Sequence, residues 1–99
     1  MVMKLQDILI DSSKWTKNVA ARNFLGRGCH PEAMDAVSWC LSGAMFLCYR
    51  YRDSRPYDRE WRELDRYIAS YGYHSIAAWN DDPKRTFQDI RDLVTTLDI

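Results

Sequence analysis

The block from Ala36 to Cys48, A-V-S-W-C-L-S-G-A-M-F-L-C, is apolar on nearly every side, interrupted only by Ser38, Ser42 and Gly43. Its thirteen residues fall short of the about 20 that a membrane span needs. A helix without a polar face must be enclosed by protein. The pattern therefore predicts a central helix over about residues 31–51, with the other segments wrapped around it. Pro31 fits the first helical position, where a missing N–H costs nothing, and Glu32 and Asp35 suit the positive end of the dipole. Ala33, Ala36, Cys40, Gly43 and Ala44 form a stripe of small side chains. Gly43 costs about 1 kcal/mol of helix propensity relative to Ala, so close approach of a neighbouring backbone is the expected reason for it.

Leu5, Ile8 and Leu9 recur at helical spacing and predict a short leading helix within Met3–Asp11, with Ile10 leaving a strand open as the alternative. Residues 15–29 show no clean helical face and are punctuated by Gly26 and Gly28, which predicts an extended arm or small hairpin. Tyr57, Trp61, Leu64, Ile68 and Tyr71 are spaced 4, 3, 4 and 3 apart, the clearest amphipathic helix in the chain. Gly72 is its natural stop. Ser75–Trp79 predicts a single turn and Asn80–Pro83 a loop. Thr86 followed by Asp89 resembles a capping box, opening a last helix whose apolar face is Phe87, Ile90, Leu93, Val94 and Leu97. The expected fold is a single mainly α domain, residues 1–99. Three to four helices surround the central apolar helix, and an arm or β-hairpin lies near 15–29.

Charge and cysteine content narrow the function. Fourteen basic and fourteen acidic residues give zero formal net charge. Duplex nucleic-acid binders usually carry a basic surplus, so that class is disfavoured, while weak mutual repulsion leaves homo-oligomers open. Cys29, Cys40 and Cys48 are odd in number. On one helix Cys40 and Cys48 would stand roughly 12 Å apart, beyond disulfide reach. Reduced thiols in a cytoplasmic protein are expected. The N-terminal stretch carries Asp7 among its apolar residues and lacks a small-residue cleavage site, unlike a signal peptide.

Four blocks stand out together: Trp15-Thr16; A-V-S-W-C-L-S-G-A at 36–44; S-I-A-A-W-N-D at 75–81; and Arg85-Thr86. Their combination resembles a family of short bacterial and phage proteins known as a domain of unknown function. The likeness spans roughly residues 5–97 and leaves out the Arg/Tyr-rich stretch from Tyr49 to Tyr67. It implies no activity.

Two surfaces are candidates for binding. Trp79, Asn80, Asp81, Arg85 and Thr86 could hold a small anionic or nucleotide-like ligand with an aromatic plate, an amide and a guanidinium near a helix start. Turn and cap chemistry also explains nearly every one of those positions, with Asp81 paired to Arg85 and Thr86 capping the helix. The stretch from Tyr49 to Tyr67 holds six arginines, four tyrosines and one tryptophan against five acids. Arginine forks and aromatic rings are the usual hot spots of protein interfaces. Tyr49, Arg50, Tyr51, Arg52, Arg55 and Tyr57 are its candidate contact residues, set against the plain alternative of a solvated, ion-paired helix.

Catalysis finds little footing. Cys40 sits among apolar neighbours, where a thiol is inert. Cys29, next to His30 and ahead of the expected helix at Pro31, is the better nucleophile candidate. A zinc site from Cys29, His30, Cys40, Cys48 and His74 would lack metal-ligand spacing. No metal or cofactor is expected, and no glycine-rich phosphate loop is present. The leading expectation is a non-enzymatic binding protein with a protein partner, of the kind a phage or mobile element uses to block a host system. A nucleotide-like small-molecule binder is the alternative, and a cysteine-dependent enzyme through Cys29 is a third.

Overall fold

The computed structural model describes residues 4–49 and 56–99, with side chains to residue 49 and from residue 59 onward. Among these residues, five α-helices and one sheet are the main elements, with a short 3-10 turn at Ser12–Lys14. They are α1 (Leu5–Ile8), β1 (Ala21–Asn23), β2 (Gly28–Cys29), β3 (Ala36–Trp39), α2 (Leu41–Tyr49), α3 (Pro56–Ser70), α4 (Ile76–Asp81) and α5 (Phe87–Leu97). The architecture is α+β, not mainly α.

The correction lies in the central block. Pro31–Asp35 forms turns, and the expected helix of 31–51 is divided into β3 and a nine-residue α2. A run apolar on every side has no period to separate a buried strand from a buried helix. The decision is made by β1, which sits in the middle of a three-stranded antiparallel sheet ordered β2-β1-β3 and needs a second partner. Ala21 pairs with both Cys29 and Trp39, and Arg22 with Gly28 and Ser38. The β1–β3 register shifts at Arg22/Asn23, leaving Val37 unopposed and exposed. Of the extended arm or hairpin expected at 15–29, a hairpin is present as β1–β2 within its second half. Asn23 Oδ1 accepts from the amides of Leu25 and Arg27, and Gly26 supplies φ +79° in the turn.

Even shortened, α2 is central. No residue from Leu41 to Tyr49 is exposed. Around it pack Leu5 and Leu9, Leu64 and Ile68, Ile76 and Trp79, and Ile90, Leu93 and Val94. The amphipathic pattern of α3 buries Leu64 and Ile68 as its spacing requires, and Gly72 ends it at φ +87°. Helix α5 opens with the expected capping box: Thr86 Oγ1 accepts from the Asp89 amide, and Asp89 Oδ2 from the Thr86 amide. The two ends of the fold meet: Gln6 N donates to Ile99 O at 3.3 Å, and Arg91 Nη1 donates to the carbonyls of Gln6 and Leu9 that close α1.

Gly43 has the packing reason its position implied. A Cβ there would stand 2.1 Å from the carbonyl oxygen of Ala20, which also accepts from Cys40 N. Backbone meets backbone where the sheet joins α2, and neither can yield alone. Gly43→Ala should therefore destabilise the protein by about 2–3 kcal/mol in urea unfolding, although alanine is the better helix former. An unchanged or raised midpoint would show that the junction can open.

Several carboxylates are tied to the fold. The Thr86 amide holds the Asp89 carboxyl below its usual range, Ser13 does the same for Asp11, and Lys4 for Asp98. A depressed folded pKa means the folded form binds the proton less readily than the unfolded chain. The stability it contributes is complete above the unfolded value of 3.8 and is lost as pH falls through the folded value. Asp89→Asn should melt below wild type at pH 7, and the gap should narrow as pH falls below 3.8 and through the depressed folded value. A gap independent of pH would remove the ionic contribution of this cap.

Candidate functional site

The W-N-D residues lie on α4, whose start is capped by Ser75 Oγ accepting from Ala78 N. Consecutive residues of a helix point about 100° apart, so these three side chains go to three places. Asn80 goes inward and is fully buried. Its Oδ1 accepts from Trp15 Nε1 at 2.8 Å and from the Leu41 amide at 3.2 Å. Its Nδ2 donates to Thr16 O at 3.1 Å and to Asp81 Oδ1 at 2.9 Å. The two N–H donors fix which end of the amide is oxygen, and all four of its hydrogen-bonding positions are filled. Leu41 N is one of the amides that the first turn of α2 leaves unpaired, so α4 caps α2 from outside the helix.

Asp81 faces the 15–20 segment. Its Oδ1 also accepts from the amide of Asn18, a residue at φ +72°. The expected Asp81–Arg85 pair is absent. Arg85 turns instead onto Trp79, with its guanidinium carbon 3.8 Å from the ring centroid and 5.3 Å from that of Tyr73. Its Nε donates to Trp79 O at 2.9 Å, and its Nη1 lies 3.6 Å from Asp89 Oδ2. Tyr73 donates its hydroxyl to Asp82 Oδ2. That bond lowers the Asp82 carboxyl and raises the Tyr73 phenol.

Above this layer a cleft of about 390 Å³ opens between α3 and α5. Trp79, Tyr73 and Arg85 form its base, Tyr67 and Tyr71 one wall, Asp89 and Asp92 the other. The Tyr67 and Tyr71 ring centroids are 5.0 Å apart with planes tilted by 48°, and Tyr71 is 62% exposed. Hydrogen bonding to Tyr71 pushes the Tyr67 phenol up to about 12, so it is neutral at physiological pH.

Of the five residues singled out as a ligand cluster, Trp79 and Arg85 line the cleft, whereas Asn80, Asp81 and Thr86 hold the scaffold. Sequence reasoning missed Tyr67, Tyr73, Asp89 and Asp92 as site residues and placed Tyr71 on the buried face of α3. The available signal was an i,i+4 tyrosine pair, 67 in the last turn of that helix and 71 just past its end, facing residues far along the chain.

The Arg/Tyr-rich candidates fare differently. Tyr49 is 1% exposed and belongs to the core, which removes it from any contact surface. Arg50, Tyr51, Arg52 and Arg55, and the side chain of Tyr57, lie outside the described residues. Cys40 is 7% exposed, and burial pushes its thiol up, away from thiolate reactivity. Cys29 lies in β2 rather than ahead of a helix, which removes the dipole argument for its activation. Among the described residues no group of three or more His, Cys, Asp or Glu side chains could hold a metal ion, and no helix is long and apolar enough to cross a membrane. A second groove of about 350 Å³ runs beside His30, Phe46 and Trp61, with almost purely apolar walls.

Asn80→Ala should cost about 3 kcal/mol or more in chemical denaturation, because Trp15 Nε1 and the Leu41 amide would remain buried without partners. A loss below about 1 kcal/mol would mean that water or a rearranged side chain replaces the amide.

No curated protein and no solved structure matches this chain. A family model does, over residues 4–97, taking in all four sequence blocks and the Arg/Tyr-rich stretch between them. The chain belongs to that family, DUF6197, a family of unknown function.

Proposed function

We propose that this protein is a non-catalytic binding protein that contacts a protein partner, with the α3–α5 cleft as its contact site. The observation that supports the reading is the cleft's composition: Trp79, Arg85 and three tyrosines at one opening, backed by a fully bonded scaffold. Tyrosine, tryptophan and arginine are the residues that dominate interface energetics. An anchored base lowers the ordering cost of binding. The partner's projecting side chain would enter between Tyr71 and Asp92. A volume of about 390 Å³ also falls within the range of small-molecule sites. Sequestration of a small ligand in the same cleft is therefore the second reading.

Native mass spectrometry on protein purified gently from its expressing cells tests both. The expected result is a co-purified mass on wild type, protein-sized or of several hundred daltons, that is lost from Tyr71→Ala while the melting temperature holds. The triple replacement of Arg50, Arg52 and Arg55 by alanine provides the contrast. A partner kept by Tyr71→Ala and lost by the triple variant would move the contact surface to the Arg/Tyr-rich stretch.

A further inference from the structure

The cleft's charge says more than its aromatic lining. Resting on the reading of this cleft as the contact site, we propose that its ligand is an organic cation: a guanidinium or primary ammonium group on an alkyl stem. Three charged side chains line the cleft, Arg85, Asp89 and Asp92, and one positive against two negative charges leaves −1. Arg85 is engaged within the protein, stacked on Trp79, bonded to the Trp79 carbonyl and within 3.6 Å of Asp89. Its charge is matched by Asp89, whose Oδ2 also accepts from the Thr86 amide. Asp92 is left facing the cleft. Its carboxylate accepts from Gln88 Nε2 at 2.8 Å, a neutral donor, and stands close enough to Tyr67 to oppose ionisation of that phenol.

An incoming cation would meet two things that favour it. One is the Asp92 carboxylate; the other is the tilted pair of aromatic rings, Tyr67 and Tyr71, whose negative faces attract positive charge. An anionic group would meet the unmatched Asp92 carboxylate and an arginine whose charge Asp89 already matches. The sequence pattern W-N-D…R-T pointed to an anionic or nucleotide-like ligand because Arg85 was counted as available. The fold uses Arg85 as the floor. The same cation could come from a free amine or from an arginine or lysine side chain of a partner protein.

Chemical-shift titration of the whole protein separates these cases. The probes are n-butylguanidinium as a free alkyl guanidinium, an acetylated and amidated Gly-Arg-Gly peptide as the same group on a polypeptide, and adenosine monophosphate as an anionic aromatic comparator. Saturable shifts at Tyr71, Trp79 and Arg85 are expected with both cations, at affinities about tenfold or more above the comparator. Asp92→Asn, at an exposed position, should weaken the cations about fivefold or more without lowering the melting temperature. Tighter binding of the peptide assigns the cation to a protein partner, and tighter binding of n-butylguanidinium to a free small-molecule cation. The inference is overturned if neither cation binds below about 10 mM, if adenosine monophosphate binds as well, or if Asp92→Asn changes nothing. Failure of the cations alongside loss of the co-purified partner in Tyr71→Ala would sink the cation and spare the contact site. Retention of the partner by Tyr71→Ala would sink the site itself.

Discussion

The side-chain amide of Asn80 is the interaction on which the rest of this structure depends. It is fully buried and joins three stretches of chain through four partners: the Trp15 indole and Thr16 carbonyl, the first amide of α2, and its own neighbour Asp81. In a low-dielectric interior, bonds of this kind are strong when complete and costly when broken. An asparagine is the side chain that can supply two acceptor and two donor positions from one short stem. An aspartate would have no N–H for the Thr16 carbonyl, and its charge would stand against Asp81. The sequence blocks Trp15-Thr16, Trp39–Leu41 and Trp79–Asp81 are therefore one object in space. Thr16 N completes it by donating to Trp39 O at 3.0 Å, beside a parallel bridge between Trp15 and Trp39.

A second constraint works beside the first. The carbonyl of Ala20 lies against Gly43 and receives the Cys40 amide, so the sheet is seated on the start of α2 with no side chain between. Asn80 and Gly43 thus fix the same helix end from two sides, one by hydrogen bonding and one by exclusion of volume. With α2 held there, α1 and α5 close over its flank through the Arg91 bonds to Gln6 and Leu9.

The candidate site is the outer surface of this arrangement. Trp79 belongs to both layers: its carbonyl and its ring receive Arg85, while the next residue, Asn80, points into the core. Rotation along a single short helix separates a scaffold residue from a site residue one position away. The cleft takes Tyr67, Trp79, Asp89 and Asp92 from helices and Tyr71, Tyr73 and Arg85 from the turns between them. The bonds of Tyr73 to Asp82 and of Arg85 to Trp79 favour a binding geometry that is set before the ligand arrives.

Sequence alone determined the elements whose signals are local. The 4-3-4-3 spacing of α3, its stop at Gly72, the Thr86–Asp89 cap of α5 and the turn glycine of the β1–β2 hairpin are each set by residues within a few positions of one another. The small size of Gly43 also announced a close approach, though not to which backbone. Tertiary structure decided the rest, because the deciding partner lay far along the chain. Ala36–Trp39 became a strand because β1 had a free edge. Asn80 and Asp81 became helical scaffold rather than loop because Trp15, Thr16 and Asn18 came to meet them, more than 60 residues away. Arg85 took Trp79 and Asp89 in place of Asp81, and Tyr67 of α3 with Tyr71 in the turn after it became a cleft wall only once α5 lay opposite. Periodicity records which face of an element is apolar; what that face, or its polar neighbour, will touch is settled by packing.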